Sequence, residues 1–259
     1  MTASGGALLR PEADGIAEVV LDRPDAMNAL NTATLVQLTA HFTAIAADPQ
    51  VRVVVLSSAG ERAFCVGADL KERGAMSDAE ILAQRPVFRA AYGALLALPQ
   101  PAIAAVHGYA LGGGCELALS CDVIIADATA QFGLPEVSVG LVPGSGGTQL
   151  LARRVGPGRA ADMIFSGRKA GAEEAHAIGL ADRLVPAGIA RTSALELAAQ
   201  IAANSPVAVR AAKRALRNGA GLGLAAALDV EDAAWRTAVG SADRREGIAA
   251  FVEKRKPVW

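Results

Sequence analysis

Two glutamates, Glu116 and Glu136, stand beside glycine-rich segments, and they are the side chains whose type and spacing best suit proton transfer. Glu116 follows Gly112-Gly113-Gly114 and Cys115. Glu136 follows Pro135 and precedes Gly144-Ser145-Gly146-Gly147. In a carboxyl pair one member can take a proton while the other gives one, and their repulsion separates two titrations that belong to the pair. The glycine run ahead of Glu116 supplies a second chemical element. Backbone N–H groups at a helix start have no intrahelical acceptor and favour developing negative charge. Each feature alone also has a plainer reading: an acid in a first helical turn, a loop carboxylate, a tight turn. Other chemistries find little support. Neither a phosphate-binding Gly-x-x-x-x-Gly-Lys-Ser/Thr nor a dinucleotide Gly-x-Gly-x-x-Gly after the first strand occurs. Cys65, Cys115 and Cys121 lack metal-ligand spacing and read as buried free thiols, while His41, His107 and His176 have no evident nucleophile partner.

The hydrophobic pattern shows which elements must hold these groups. Residues 15–23 predict a first strand, broken by Pro24, which lacks an N–H. Asn31 and Thr32 suit a helix cap, and the spacing of Leu35, Leu38, Phe42 and Ile45 predicts a helix ending at Asp48-Pro49. The apolar run 51–58 predicts a buried strand. The rhythm then recurs. A loop over 59–69 precedes a helix near 78–97 that contains Pro86, and a strand over 102–110 follows. Next come a short helix over 114–120, a strand over 122–127, a brief piece at 130–133, and a Gly-rich loop over 140–147. Helices over 148–155 and 158–165 follow that loop. Short strands separated by helices predict the α/β class. From about 190 the strand signals stop. Helices are expected over 190–203, from a Ser205 cap and Pro206 to Gly219, over 223–238 and over 242–254. The chain thus divides into a core, 1–195, and a helical region, 196–259, whose apolar stripes need a partner surface.

Of the 259 residues 52% are hydrophobic, but 58 are alanine and aromatics are scarce, so this figure overstates the bulk available for a core. No apolar run reaches the roughly 18 residues that a spanning helix needs. The segment MTASGGALLRPEADG has no basic stretch ahead of a long apolar one, so no secretory leader is expected. With the free thiols, that points to a cytoplasmic protein. The formal charge of −1 argues against a broad nucleic-acid surface.

Several long motifs, in order, resemble the crotonase (enoyl-CoA hydratase/isomerase) family over nearly the whole chain, closest to enoyl-CoA hydratase. They are Arg23-Pro24 with Ala26 to Leu30, Ala63 to Glu72, His107 to Glu116, Gln131 to Glu136, Pro143 to Thr148, Asp243 to Gly247 and Phe251 to Lys256. The resemblance implies a spiral of ββα repeats followed by a C-terminal helical trimerisation region, in a homotrimer or a hexamer made of two trimers. It assigns the two oxyanion-hole donors to the backbone of Ala68 and Gly113, and the acid–base roles to Glu116 and Glu136. Substrate and coenzyme A contacts fall to Ala26, Ala63, Ala68, Asp69, Leu70, Tyr109, Gly113, Pro135, Leu141 and Lys254. Coenzyme A arrives as part of the acyl-CoA substrate, so no separate cofactor and no metal are expected. The segment 74–92 is expected to line the acyl pocket, with Met76, Ile81, Leu82, Val87 and Phe88 as its apolar members.

The activity so implied is reversible addition of water to 2-enoyl-CoA thioesters. A specialised dehydratase, or another family lyase or isomerase acting on the same enolate, is the alternative. Isomerases commonly lack one of the two glutamates, and both are present here. One branch of the family binds RNA through a lysine-rich first helix, whereas residues 32–47 contain no Lys or Arg. Neither a nucleic-acid nor a membrane partner is expected.

Overall fold

The structure, a computed structural model, describes residues 6–11 and 13–259. Residues 1–5, on which the leader reading partly rests, lie outside the described residues.

The fold grows from apolar runs long enough to bury both faces of a strand. Strand β2 (Ile16–Leu21) is buried along its length, as is nearly all of β3 (Val53–Ser58). They pair in parallel with each other, and β3 pairs in parallel with β5 (Ala102–Val106). Alternation then sorts the side chains. Val54, Leu56, Ala104 and Val106 enter the main core, while Val53, Val55, Ile103 and Ala105 enter a second cluster on the opposite face.

Between β3 and β5 the chain contributes β4 (Ala63–Cys65) to a different sheet, followed by helices α2 (Leu70–Arg73) and α3 (Asp78–Leu96). The same move repeats with β6 (Tyr109–Leu111) and α4 (Gly113–Ser120), then β7 (Val123–Asp127), β8 (Gln131–Gly133) and α5 (Gly147–Val155). Strands therefore alternate between a six-stranded and a four-stranded sheet while helices close each turn. This is the spiral of ββα repeats. The first helix, α1 (Thr32–Ala47), buries Leu35, Leu38, Phe42 and Ile45, and the Asn31 side chain accepts from the Thr34 N–H as its cap.

Several expectations need correction. The strand expected over 102–110 is two strands in different sheets, β5 and β6, separated at His107-Gly108. Gly108 has φ +54°, and a Cβ there would lie 2.2 Å from the Arg62 carbonyl oxygen, so glycine alone fits the corner. The loop expected over 59–69 contains β4. Strand β1 (Ala7–Pro11) was not expected; it pairs antiparallel with β2 at the sheet edge and buries only Ala7, leaving little apolar pattern to read. After α6 (Pro157–Ser166), the short elements β9 (Lys169–Gly171), α7 (Ala172–Ala177) and β10 (Arg183–Val185) also escaped the periodicity, being three to six residues long.

Helix α8 (Ala190–Ala202) covers the second face of the large sheet with Ala190, Ala194, Leu197, Ala198 and Ala202. The 195/196 division drawn from the sequence falls within this helix. Helix α9 (Pro206–Gly219) docks through cations. Lys213 Nζ donates to the Gln100 carbonyl oxygen (2.6 Å) and pairs with Asp122 (2.7 Å), which also accepts from Arg217 (2.9 Å). Helix α10 (Leu224–Val239) packs on α9, and α11 (Ala242–Val252) follows. This tail leaves Leu224, Trp235 and Phe251 exposed, Phe251 at 85%. Among the described residues, no helix is long and apolar enough to cross a membrane.

Candidate active site

Helix α4 starts where β6 ends, and glycines allow that start to approach a neighbouring backbone. A Cβ on Gly114 would lie 2.0 Å from the Cys65 carbonyl oxygen, so α4 seats directly on β4. A Cβ on Gly67 (φ +88°) would come within 2.9 Å of the Gly113 nitrogen. The Gly67-Ala68 and Gly112-Gly113 segments thus run side by side. Leu30 fixes the first of them. Its N–H donates to the Gly67 carbonyl (2.8 Å), and its carbonyl accepts from the Asp69 N–H (3.0 Å). Among the described residues neither the Ala68 nor the Gly113 N–H donates a hydrogen bond. Both residues line one cavity of about 770 Å³.

Glu116 and Glu136 line that same cavity. Glu116 Oε1 accepts from the N–H groups of Ser145 (2.6 Å) and Gly147 (2.8 Å). Its other oxygen accepts none among the described residues. Burial raises the Glu116 carboxyl above its ordinary range, opposed by these amides and by the Arg85 charge. Glu136 lies in a short 3-10 turn, Pro135–Val139, opposite Gly112, where a Cβ would sit 3.2 Å from its Oε1. Its Oε2 is buried and has no hydrogen-bond partner among the described residues. Burial first, and the Glu116 charge in addition, push the Glu136 carboxyl up to about 7.

The cavity also receives Leu70, Pro135 and Leu141 from the expected substrate contacts, and Ile81, Leu82 and Phe88 from the 74–92 segment. Met76 and Val87 do not line it. Asp69 faces elsewhere: it caps α2 by accepting from the Lys71 and Glu72 N–H groups and pairs with Arg23 at 3.0 Å. Ala63 lines a separate hollow of about 310 Å³ together with Pro24, Asn28 and Arg62. Ala26 ends the adjacent turn Pro24–Ala26. Tyr109 is partly exposed beneath Lys169, 4.9 Å from its ring, and Lys254 lies past α11 in contact with neither hollow.

Sequence reasoning missed five contributors. Tyr92, buried in α3, donates from its hydroxyl to the Gly113 carbonyl (2.7 Å). The Ser145 and Gly147 amides hold Glu116, and the guanidinium groups of Arg73 and Arg85 reach the cavity wall. A tyrosine inside an apolar helical stripe reads as core, and backbone donors leave no signal in residue type. Among the described residues no group of three or more His, Cys, Asp or Glu is placed to hold a metal ion.

Two free amides beside two carboxyls, carried on a spiral of ββα units, make this a fold and site for polarising a carbonyl and moving protons next to it. The chain belongs to the enoyl-CoA hydratase/isomerase family, whose model matches residues 11–259. It is 42% identical over 246 residues to the short-chain-enoyl-CoA hydratase of Clostridium acetobutylicum, covering 93% of this chain and 92% of that one. It also resembles the crystal structure of an enoyl-CoA hydratase from Bacillus anthracis, with a TM-score of 0.95, 40% identity and 98% of each chain covered.

Proposed function

We propose that this protein is an enoyl-CoA hydratase, adding water reversibly to 2-enoyl-CoA thioesters. The observation that carries the reading is that Glu116, Glu136 and the free Ala68 and Gly113 amides share one cavity. The thioester oxygen accepts from the two amides. Attack at the β-carbon moves charge onto that oxygen, and preorganised donors stabilise this charge more than the neutral ground state. Glu116, with its carboxylate form supported by two amides, takes a proton from water as the oxygen attacks the β-carbon. Glu136, able to keep a proton near neutrality, delivers it to the α-carbon. One water is consumed, both its hydrogens are accounted for, and the glutamates exchange protonation states before the next turnover.

The coenzyme A moiety is assigned to the strip running from Leu70 toward the hollow at Ala63, beside Ala26, and Lys254 to a phosphate across a subunit boundary. The exposed apolar residues of α10 and α11 support a homotrimer or a dimer of trimers. Three unpaired, buried cysteines support a reducing, cytoplasmic setting, and hydration of 2-enoyl thioesters suits fatty-acid β-oxidation.

The test is incubation of the purified protein with 2-enoyl-CoA thioesters of increasing chain length. Loss of the conjugated-thioester absorbance together with gain of the mass of one water is expected. A purified, folded protein that hydrates none of them overturns the reading. Light scattering should give the mass of a trimer or hexamer, and a monomer would overturn the assembly.

A further inference from the structure

The acyl side of the cavity is not uniformly apolar. Arg73, at the end of α2, and Arg85, on α3, both line it beside Leu70, Ile81, Leu82 and Phe88. Arg73 lies 4.7 Å from the Phe88 ring centre and donates from Nε to Gln84 (3.3 Å). Arg85 reaches over Gly144 on the opposite wall, its Nη1 2.9 Å from where a Cβ would stand. Among the described residues neither guanidinium forms an ion pair with a carboxylate, and Arg85 makes no hydrogen bond. The arginines also act on each other: burial first, then the Arg85 charge, draws Arg73 below its ordinary range. Beside Leu70, Ile81, Leu82 and Phe88 the two cations repel each other; Arg85 feels the Glu116 charge and Arg73 that of Glu72, but among the described residues neither is paired with a carboxylate, an arrangement that a further anion would relieve. Guanidinium groups match carboxylates in particular, through paired N–H donors.

We infer that Arg73 and Arg85 select 2-enoyl-CoA substrates whose acyl chain ends in a carboxylate. This rests on the hydratase reading and names the substrate class of the same site. The apolar wall accepts the methylene chain, and the arginines receive its charged end. The same cations could instead hold a phosphate of coenzyme A, but that would help every thioester equally. Selectivity between acyl chains separates the two sources of negative charge.

The experiment compares kcat/KM for pairs of 2-enoyl-CoA thioesters of equal chain length, one ending in methyl and one in carboxylate. The pairs are tested across several lengths on wild type, Arg85→Gln, Arg73→Gln and the conservative Arg85→Lys. At the best length the wild type should prefer the carboxylate by about 10-fold or more, the scale of a charged hydrogen bond. Each Gln variant should lower the carboxylate-to-methyl ratio by about 10-fold, and Arg85→Lys should retain part of it. A wild type that favours methyl-ended chains at every length overturns the inference, as does an unchanged ratio in both folded Gln variants. An equal loss on both chain types, with the ratio intact, also overturns it and assigns the arginines to coenzyme A. Hydration of methyl-ended chains by the wild type tests the hydratase reading separately.

Discussion

The Tyr92 hydroxyl and the Gly113 backbone interlock: the hydroxyl donates to the Gly113 carbonyl at 2.7 Å and lies 2.7 Å from where a Gly113 Cβ would be. Tyr92 is buried, so its hydroxyl occupies the space a side chain at 113 would need. Through this contact α3 holds the start of α4, and with it the amide assigned to the oxyanion hole.

Two variants should therefore be coupled. Tyr92→Phe removes one hydrogen bond and is expected to cost about 1 kcal/mol of stability and to lower kcat more than it raises KM. Gly113→Ala should be more damaging in wild type than in the Tyr92→Phe background, where the obstructing oxygen is gone. Urea denaturation of the four proteins measures this coupling. Strictly additive losses would show that the two residues do not interlock.

Glu136 makes the folded state less stable as pH rises toward neutrality. Burial, reinforced by the Glu116 charge, holds its carboxyl at about 7 in the folded chain, against an ordinary value of 4.5. The folded state thus binds more protons than the unfolded state in that interval, and stability falls as pH rises through it. Glu136→Gln removes the buried charge. The variant should gain on the order of 1–3 kcal/mol relative to wild type at pH 8 compared with pH 4. Denaturant midpoints for both proteins at the two pH values check this, and a difference independent of pH would refute it.

Much of this site was legible because its parts carry residue-type signatures. The Asn31 and Ser205 caps and the stripe Leu35, Leu38, Phe42, Ile45 fixed their helices, and both glutamates stood beside glycines. What escaped depends on long-range geometry. Strands β4, β6 and β8 are three residues each and exist because they pair with one another, not because of any alternation of their own. Arg73 and Arg85 belong to separate helices and become one feature only when α2 and α3 fold over the same cavity. The resemblance assigns Asp69 to the coenzyme A strip, while the engagement of its carboxylate by the α2 cap and by Arg23 depends on long-range geometry that residue type does not reveal.

Glu116→Gln should separate catalysis from architecture. The glutamine carbonyl oxygen can still accept from the Ser145 and Gly147 N–H groups, so the loop 141–147 should stay in place. The side chain can no longer take a proton from water. Hydration is expected to fall about 10²–10⁴-fold with little change in thermal stability. Turnover close to wild type would remove Glu116 from the proton-transfer role.

Asp69 should control the Ala68 amide indirectly. Burial raises its carboxyl, but Arg23 and the Glu72 and Lys71 amides outweigh that effect and hold it below the ordinary carboxylate range. A depressed carboxyl contributes stability that is present above its unfolded pKa and is lost as pH falls through the folded value. Asp69→Ala removes the α2 cap and leaves the Arg23 guanidinium, among the described residues, with the Ala29 carbonyl oxygen as its remaining acceptor. The expected cost is about 1–2 kcal/mol, the scale of a lost N-cap, and it should shrink in strong acid as the charge-dependent part is lost. Asp69→Asn keeps an acceptor for the cap amides and should recover part of the loss at neutral pH. Because Asp69 adjoins Ala68 and lies outside the cavity, kcat should fall with KM nearly unchanged. Denaturation curves across pH, together with steady-state kinetics on a short 2-enoyl-CoA, test both halves. A variant with raised KM and unaltered stability would instead make Asp69 a direct substrate contact.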